Sequence, residues 1–300
     1  EEVGLLCARG RFGTYHTNDQ DRLITPKASF QEGLSETSWQ DALKYTLKRL
    51  QATVAAYGPG SVAFIASPRF TNEETLTITK LAKAIGTHHL GSFTLGDTGG
   101  LEKVLGYNAS TNSFDELSQA DLILTVGDVA KNHPVLGVKI RQAGKGKAKI
   151  YSISPGKTRM DQEAKGAFHI DDKLDFFKGL VKAIFHQELL AKNLDQGTVT
   201  GLEELKKAVD KTPVTHEMTF LAQELAQSPK ALVLVDEESV SPDAIKLLAN
   251  IMVLLDKVGR PYNGIISLKA KNNSQGSWDL GIRSSGDEIC QAIDQGKIKA

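Results

Sequence analysis

The chain has 300 residues, of which 40% are hydrophobic and 24% are charged. This length predicts about two domains, each with a sizeable core, and the composition is ordinary for a globular protein. Lys and Arg together number 36, as do Asp and Glu, so the formal charge is zero. This balance excludes a general attraction to nucleic acid or to an anionic membrane. No apolar run approaches the roughly 20 residues of a membrane-spanning helix, and no signal-peptide pattern opens the chain.

The two cysteines, Cys7 and Cys290, cannot build a disulfide framework, so we expect a cytoplasmic, reducing location. Cys290 lies in a helical pattern beside Ile289, which indicates packing. The chain opens with two acids before an apolar stretch and stops in what resembles the start of a strand. We therefore expect a piece of a longer protein.

Short apolar runs alternate with longer stretches of helical period, which is typical of βαβ units and a mainly parallel sheet. Each predicted strand is nearly all apolar and is flanked by Gly, Pro, Ser or Asp, as strands buried on both faces are. The predicted strands are Ser61–Ser67, Asp121–Gly127, Lys149–Ile153, Ala231–Val235 and Gly264–Leu268.

Helices are predicted between these strands. The first has leucines at three- and four-residue spacing, an N-cap at Ser38 and a stop at Gly58–Gly60. The second has Glu73 and Glu74 in its first turn, where the helix dipole favours acids. The predicted helices are Trp39–Tyr57, Asn72–Ile85, Pro134–Ala143, Asp172–Leu190, Leu202–Val209, Glu217–Ala226, Asp243–Leu255 and Gly286–Gln295.

Two breaks in this pattern are candidate domain boundaries. One is the glycine-rich stretch Gly91–Gly106, and the other is Ser228-Pro229, between a helix and a strand. Residues 1–37 show no clear period, so we expect an extended, loop-rich lead-in there.

Three junctions lead from a strand through a loop into a helix, where α/β folds bind ligands because free helix N–H groups and strand ends converge. They are Ser67–Glu74, Gly127–Pro134 and Ser154–Arg159. Each has the composition to seat an anion. Each also contains the Asn, Thr or Pro that a helix start needs without any ligand, and this capping interpretation is favoured.

Three further features suggest chemistry. His133 has no CxxC or HxxxH partner nearby, so a structural histidine with satisfied hydrogen bonds is favoured over a metal ligand. The amide-rich set Asn272–Gly276 follows a strand and suits a polar ligand and a simple turn equally. Cys7 cannot hold a metal cluster alone, but it suits one of four ligands when the others lie upstream.

Nine short segments, spread along the chain, carry further recognisable motifs. They are Cys7–Gly13, Ser38–Leu43, Ser67–Arg69, Thr71–Glu74, Ala120–Gly127, Asn132–Val135, Gly259–Pro261, Asn272–Gly276 and Asp279–Gly281. Together, and in this order, they resemble the molybdopterin oxidoreductase family, which includes formate dehydrogenases and the large iron–sulfur subunit of respiratory complex I. Only Gln187–Ser228 contributes little to the resemblance.

The resemblance implies an α/β fold of two Rossmann-like domains with mainly parallel sheets, one inserted in the other. It implies a lead-in at 1–37 beside an iron–sulfur region, a first α/β domain at 38–92 and 229–300, and an inserted α/β domain at 93–228. The strands at Ser61–Ser67 and Ala231–Val235 should then share one sheet, and those at Asp121–Gly127 and Lys149–Ile153 a second one.

The resemblance also implies site residues and partners. Cys7 would be a ligand of a 4Fe–4S cluster in the full-length parent only. A vestigial pterin site would use Asn132, His133, Pro134, Asn272, Asn273 and Gln275. The expected partners are other subunits or domains of an electron-transfer complex, with no nucleic acid among them, and the chain itself is not expected to span a membrane.

Three positions depart from the family pattern. Counting back from Thr111–Asp115 leads to Phe93, where formate dehydrogenases carry the Cys or selenocysteine that ligates the metal, and Phe cannot ligate molybdenum or tungsten. Arg9 replaces the Lys of active members and resembles the complex I subunit. Ser154–Gly156 replaces an Asp-Pro-Arg type sequence, so charge-assisted hydrogen bonds to the guanine nucleotide are lost.

These departures favour a scaffold in a complex I type NADH dehydrogenase subunit, with no cofactor bound to this chain and no molybdopterin guanine dinucleotide in the parent. The alternative hypothesis is a catalytic fragment of a molybdenum or tungsten formate dehydrogenase-like oxidoreductase. The family-like segments Asn132–Val135 and Asn272–Gly276 support that alternative. A binding module of unrelated function ranks third.

Overall fold

The computed structural model describes residues 4–29, 33–93, 99–192, 194 and 199–300. The described strands are β1 Lys27–Ala28, β2 Ser35–Glu36, β3 Ala63–Ile65, β4 His89–Ser92, β5 Leu122–Val126, β6 Lys149–Ser154, β7 Gly166–His169, β8 Ala231–Asp236, β9 Gly264–Leu268 and β10 Ser284–Ser285. The described α-helices are α1 Ala8–Phe12, α2 Trp39–Tyr57, α3 Asn72–Ile85, α4 Glu102–Leu105, α5 Val129–Asn132, α6 Pro134–Lys145, α7 Lys173–His186, α8 Leu202–Val209, α9 His216–Gln227, α10 Pro242–Leu254, α11 Ser274–Asp279 and α12 Gly286–Asp294.

The chain divides into two compact units. One comprises Glu1–Leu95 with Lys271–Ala300, and the other comprises Gly96–Ala270. The second unit is therefore inserted in the sequence of the first, and both contain parallel sheets, as the resemblance predicted. Residues 94–98 of the predicted Gly91–Gly106 boundary lie outside the described residues, as do 193 and 195–198 of the predicted inserted domain.

The first unit contains a three-stranded parallel sheet in the order β10-β4-β3. Local signals determine its longest helices. The Ser38 hydroxyl accepts a hydrogen bond from the Asp41 amide at 3.1 Å and caps α2. Thr71 and Glu74 form a capping box at the start of α3, in which each side chain accepts from the backbone N–H of the other. The predicted bounds of both helices are confirmed.

The second unit contains a five-stranded parallel sheet in the order β7-β6-β5-β8-β9. The strands β5, β8 and β9 are buried along their whole length, as strands covered on both faces are. Leu124 packs on one face with α7, α9 and α10, and Ile123 packs on the other face with α6. Each near-continuous apolar run of the sequence therefore contributes side chains to the hydrophobic core on both faces of the sheet.

The prediction that Ala231–Val235 shares a sheet with Ser61–Ser67 is wrong. This strand, β8, pairs with β5 and β9 instead of with β3. It is apolar on both faces, so it gains most burial between two strands of the larger sheet. The break at Ser228-Pro229 is only the loop from α9 into β8, and the chain returns to the first unit at Lys271 rather than at 229.

Several short elements were not predicted. Strands β4 and β10 complete the first sheet, and β7 forms an edge of the second. They contain Gly, Ser or His, so no apolar run marked them. The lead-in at 1–37 contains more regular secondary structure than expected, namely α1 and the antiparallel pair of β1 with β2. None of the described helices combines the length and apolar content that crossing a membrane requires.

Candidate functional site

The candidate site is the carboxyl edge of the five-stranded sheet. From β5, the chain proceeds to β6 and β7 on one side, whereas β8 and β9 lie on the other side. The strand order thus reverses between β5 and β8. Open α/β sheets bind ligands in the crevice at such a switch point.

Gly127 begins the turn after β5 at this switch point. Its φ of +98° lies in the left-handed region that favours glycine. A Cβ at this position would lie 2.2 Å from Ser239 Oγ and 3.2 Å from Asp236 Oδ2. The last side chain of β8 and one just beyond it therefore already occupy the space beside the Gly127 backbone.

Asp236 ends β8, and its side chain is fully buried. Asn132 Nδ2 donates a hydrogen bond to Asp236 Oδ2 at 2.7 Å, and the Glu238 amide donates to Oδ1 at 3.3 Å. His133 Nε2 lies 3.7 Å from the same Oδ1 and has no hydrogen-bond partner in the described structure. Burial raises the pKa of Asp236, but the interactions with His133 and Asn132 outweigh it and leave that pKa below its ordinary value.

The Asp236 charge should make folding sensitive to acid. Because the pKa of Asp236 is lower in the folded chain than its unfolded value of about 3.9, its ionisation contributes stability above that value, which is lost as pH falls through the folded pKa. We expect Asp236→Asn to cost about 1.5–3 kcal/mol at neutral pH and progressively less as the pH falls below about 4.

Urea unfolding of wild type and Asp236→Asn over a pH series measures this difference. The exposed Asp243 on α10, changed to Asn, is the matched control. A stability difference for Asp236→Asn that stayed constant with pH would contradict the assignment of the charge to Asp236.

Glu237 follows Asp236 and forms a buried ion pair with Lys269. Lys269 Nζ donates to Glu237 Oε1 at 2.9 Å, and the two side chains are 9% and 3% exposed. The Ser267 hydroxyl donates to the same carboxylate oxygen. The other oxygen, Glu237 Oε2, is buried and has no hydrogen-bond partner among the described residues.

Lys173, the first residue of α7, is a second buried lysine. Burial lowers its pKa, while the charges of Asp171, Asp172 and Asp236 partly oppose that effect. The buried acids Asp236 and Glu237 thus lie at the switch point, Lys269 pairs with Glu237, and Lys173 interacts electrostatically with Asp236.

The predicted residues Asn132, His133 and Pro134 lie on the α5–α6 connection of this unit. Pro134 is the first residue of α6, as the capping interpretation predicted. Asn132, however, holds Asp236 rather than capping a helix. His133 differs from the prediction of a satisfied histidine, because its buried Nε2 has no hydrogen-bond partner in the described structure.

The predicted residues Asn272, Asn273 and Gln275 lie in the first unit, at the start of α11. Asn273 Nδ2 donates to the Phe70 carbonyl at 2.7 Å and to Asn72 Oδ1 at 3.0 Å. Gln275 Nε2 donates to an acid one turn along the helix, and Asn272 is exposed. The structure therefore joins Asn273 to the junction Ser67–Glu74, where it fastens α11 to the loop before α3.

Two of the three positions that depart from the family pattern have local structural roles. Ser154 Oγ donates to the Gly156 carbonyl at 2.7 Å, so this hydrogen bond stabilises the turn at the start of the junction Ser154–Arg159. The Phe93 ring lies against the start of α12, since a Cβ at Gly286 would be 2.0 Å from it. Cys7 precedes α1 and is partly buried. Within the described residues, no group of three or more His, Cys, Asp or Glu side chains could hold a metal ion.

Sequence reasoning missed the buried residues Asp236, Glu237, Lys173 and Lys269. One signal was available for the acids, because they follow directly on the apolar run of β8. A strand that is buried on both faces carries its last side chains to the switch point, so acids there are candidates for function.

The sheet order, the switch point and the chain-wide motifs together define the class of protein. Residues 22–300 match the Molybdopterin oxidoreductase family, and the chain belongs to that family.

The chain is similar to formate dehydrogenase H of Escherichia coli, with 29% identity over 309 residues that cover 93% of this chain and 43% of the relative. It is also similar to the alpha subunit of a formate dehydrogenase of Methanocaldococcus jannaschii, with 25% identity over 315 residues that cover 98% of this chain and 46% of the relative. The chain thus spans less than half the length of these curated relatives.

A solved structure shares the fold. Acetylene hydratase from Pelobacter acetylenicus matches with a TM-score of 0.75 and 18% identity, over 87% of this chain and 39% of that one. At this identity the likeness concerns the fold alone.

The residues at the switch point do not fit the molybdopterin guanine dinucleotide that the family implies. The space beside Gly127, where the phosphates of a dinucleotide approach a backbone, is filled by Asp236 and Ser239. Asp236 is an acid whose pKa lies below its ordinary value, so its carboxylate repels a phosphate. The Ser154–Gly156 turn contributes no carboxylate or guanidinium for a guanine edge.

Proposed function

We propose that the parent protein is a formate dehydrogenase-like oxidoreductase and that this chain supplies two of its α/β units. The observation that carries the proposal is the similarity to formate dehydrogenase H along 93% of this chain. The relatives therefore support the alternative sequence hypothesis better than the complex I type subunit. In the parent, Cys7 would supply one of the four ligands of a 4Fe–4S cluster, and the partners would be further domains or subunits that transfer electrons.

A second candidate is a scaffold without bound molybdopterin in an electron-transfer protein. The filled space at Gly127 and the phenylalanine at position 93 favour it. In this role the two units would position neighbouring iron–sulfur parts and would not contact substrate.

One experiment on the anaerobically purified parent tests both candidates. If the first is correct, formate will reduce an artificial electron acceptor, and the protein will contain stoichiometric molybdenum or tungsten. Iron–sulfur protein that lacks both metals and does not oxidise formate would contradict the first candidate and support the scaffold. A heat-inactivated sample is the control for non-enzymatic dye reduction.

A further inference from the structure

We infer that the Asp236 carboxylate is an internal anion, which occupies the place at the switch point where an α/β sheet otherwise binds a ligand phosphate. Asp236 would thereby determine specificity, because it excludes phosphate and nucleotide ligands from this edge of the second unit. This inference goes beyond the proposed function, and it concerns only the chain's own residues.

The contacts of Asp236 are those that a bound anion makes. A carboxylate and a phosphate both present oxygen atoms that accept hydrogen bonds. The Asp236 carboxylate accepts from the Asn132 side chain and from the Glu238 amide, and His133 Nε2 lies 3.7 Å away. The carboxylate lies beside Gly127, because a Cβ added to Gly127 would be 3.2 Å from Asp236 Oδ2.

The surrounding charges are consistent with an occupied anion position. His133 Nε2 and the Asn132 side chain lie on the side of the carboxylate that a bound anion would use. Lys269 is paired with Glu237 at 2.9 Å. A phosphate could take this place only by displacing Asp236, whose carboxylate already accepts the hydrogen bonds of Asn132 and Glu238. The Asp236 carboxylate and a phosphate carry charges of the same sign, which repel each other strongly where water is excluded.

Thermal unfolding of the full 300-residue chain tests the inference. The probes are inorganic phosphate and guanosine monophosphate, each compared with sodium chloride at equal ionic strength. The variants Asp236→Gly and Asp236→Ser remove the carboxylate and open its space, and Ser keeps one hydroxyl that can hydrogen-bond the Asn132 amide. Asp243→Gly is the matched control, because it makes the same change at an exposed acid of the following helix.

We expect phosphate to stabilise the Asp236 variants specifically. Saturating phosphate should raise their Tm by roughly 4 °C above the chloride reference, with a saturable dose dependence. Wild type and Asp243→Gly should respond equally to phosphate and to chloride. A response to guanosine monophosphate in addition to phosphate would show that the opened site also admits a nucleotide, whereas a response to phosphate alone would show a bare anion site. Both outcomes support the inference.

Two results would overturn it. One is saturable binding of either probe to wild type, a measurement that does not depend on the folding of any variant. The other is an Asp236→Ser variant that folds but responds to phosphate no more than Asp243→Gly does. Formate oxidation by the parent is measured separately, so failure of this inference and failure of the proposed function are distinguishable.

Discussion

Replacement of Lys269 by methionine should destabilise the second unit by about 3–5 kcal/mol. Lys269 is the cationic partner of Glu237, and both side chains are at most 9% exposed. Methionine keeps much of the volume but leaves the carboxylate buried without its counter-charge, which is the costly way to break a buried ion pair. Urea unfolding at neutral pH measures the loss of free energy.

A double-mutant cycle identifies the cause of this loss. Lys269→Met combined with Glu237→Leu removes both charges, and we expect the double variant to recover most of the stability, because an apolar pair of similar volume is often as stable as a buried ion pair. Lys147→Met, which breaks the more exposed pair with Asp121, is the control and should have little effect. Additive losses in the cycle would show that the two side chains act independently.

Replacement of Gly127 by alanine should cost about 2–5 kcal/mol, because it combines two penalties. The φ of +98° is strained for a residue with a Cβ. The new methyl group would also lie 2.2 Å from Ser239 Oγ and 2.8 Å from Asp236 Cβ. Thermal or urea unfolding of the variant measures the sum of the two penalties.

Two comparisons separate these penalties. Gly156→Ala is the matched control, because Gly156 has no positive φ and no atom within 4 Å of its Cβ position, so it should be neutral or slightly stabilising. Adding Ser239→Gly to Gly127→Ala removes the closest clash and should recover only the packing part of the loss. If Gly127→Ala were as stable as Gly156→Ala, the crowding at the switch point would not exist.

The candidate site was only partly predictable from the sequence. The junction Gly127–Pro134 was recognised, because a buried strand followed by a helix start is a local pattern. Asp236 was not recognised, although it accepts the Asn132 hydrogen bond, because the two residues are 104 positions apart. Such a contact depends on which strand lies beside β5, and no local pattern contains that information.

The sequence by itself determined the helices α2 and α3 to the residue, because caps and periodicity act within one or two turns. It likewise determined the family, through motifs spread along the chain. Only the tertiary structure decided that β8 pairs with β5 and that Asp236 fills the space beside Gly127. Apolar strands buried on both faces are interchangeable as neighbours when judged from sequence alone, so their pairing is determined by the burial of the whole sheet.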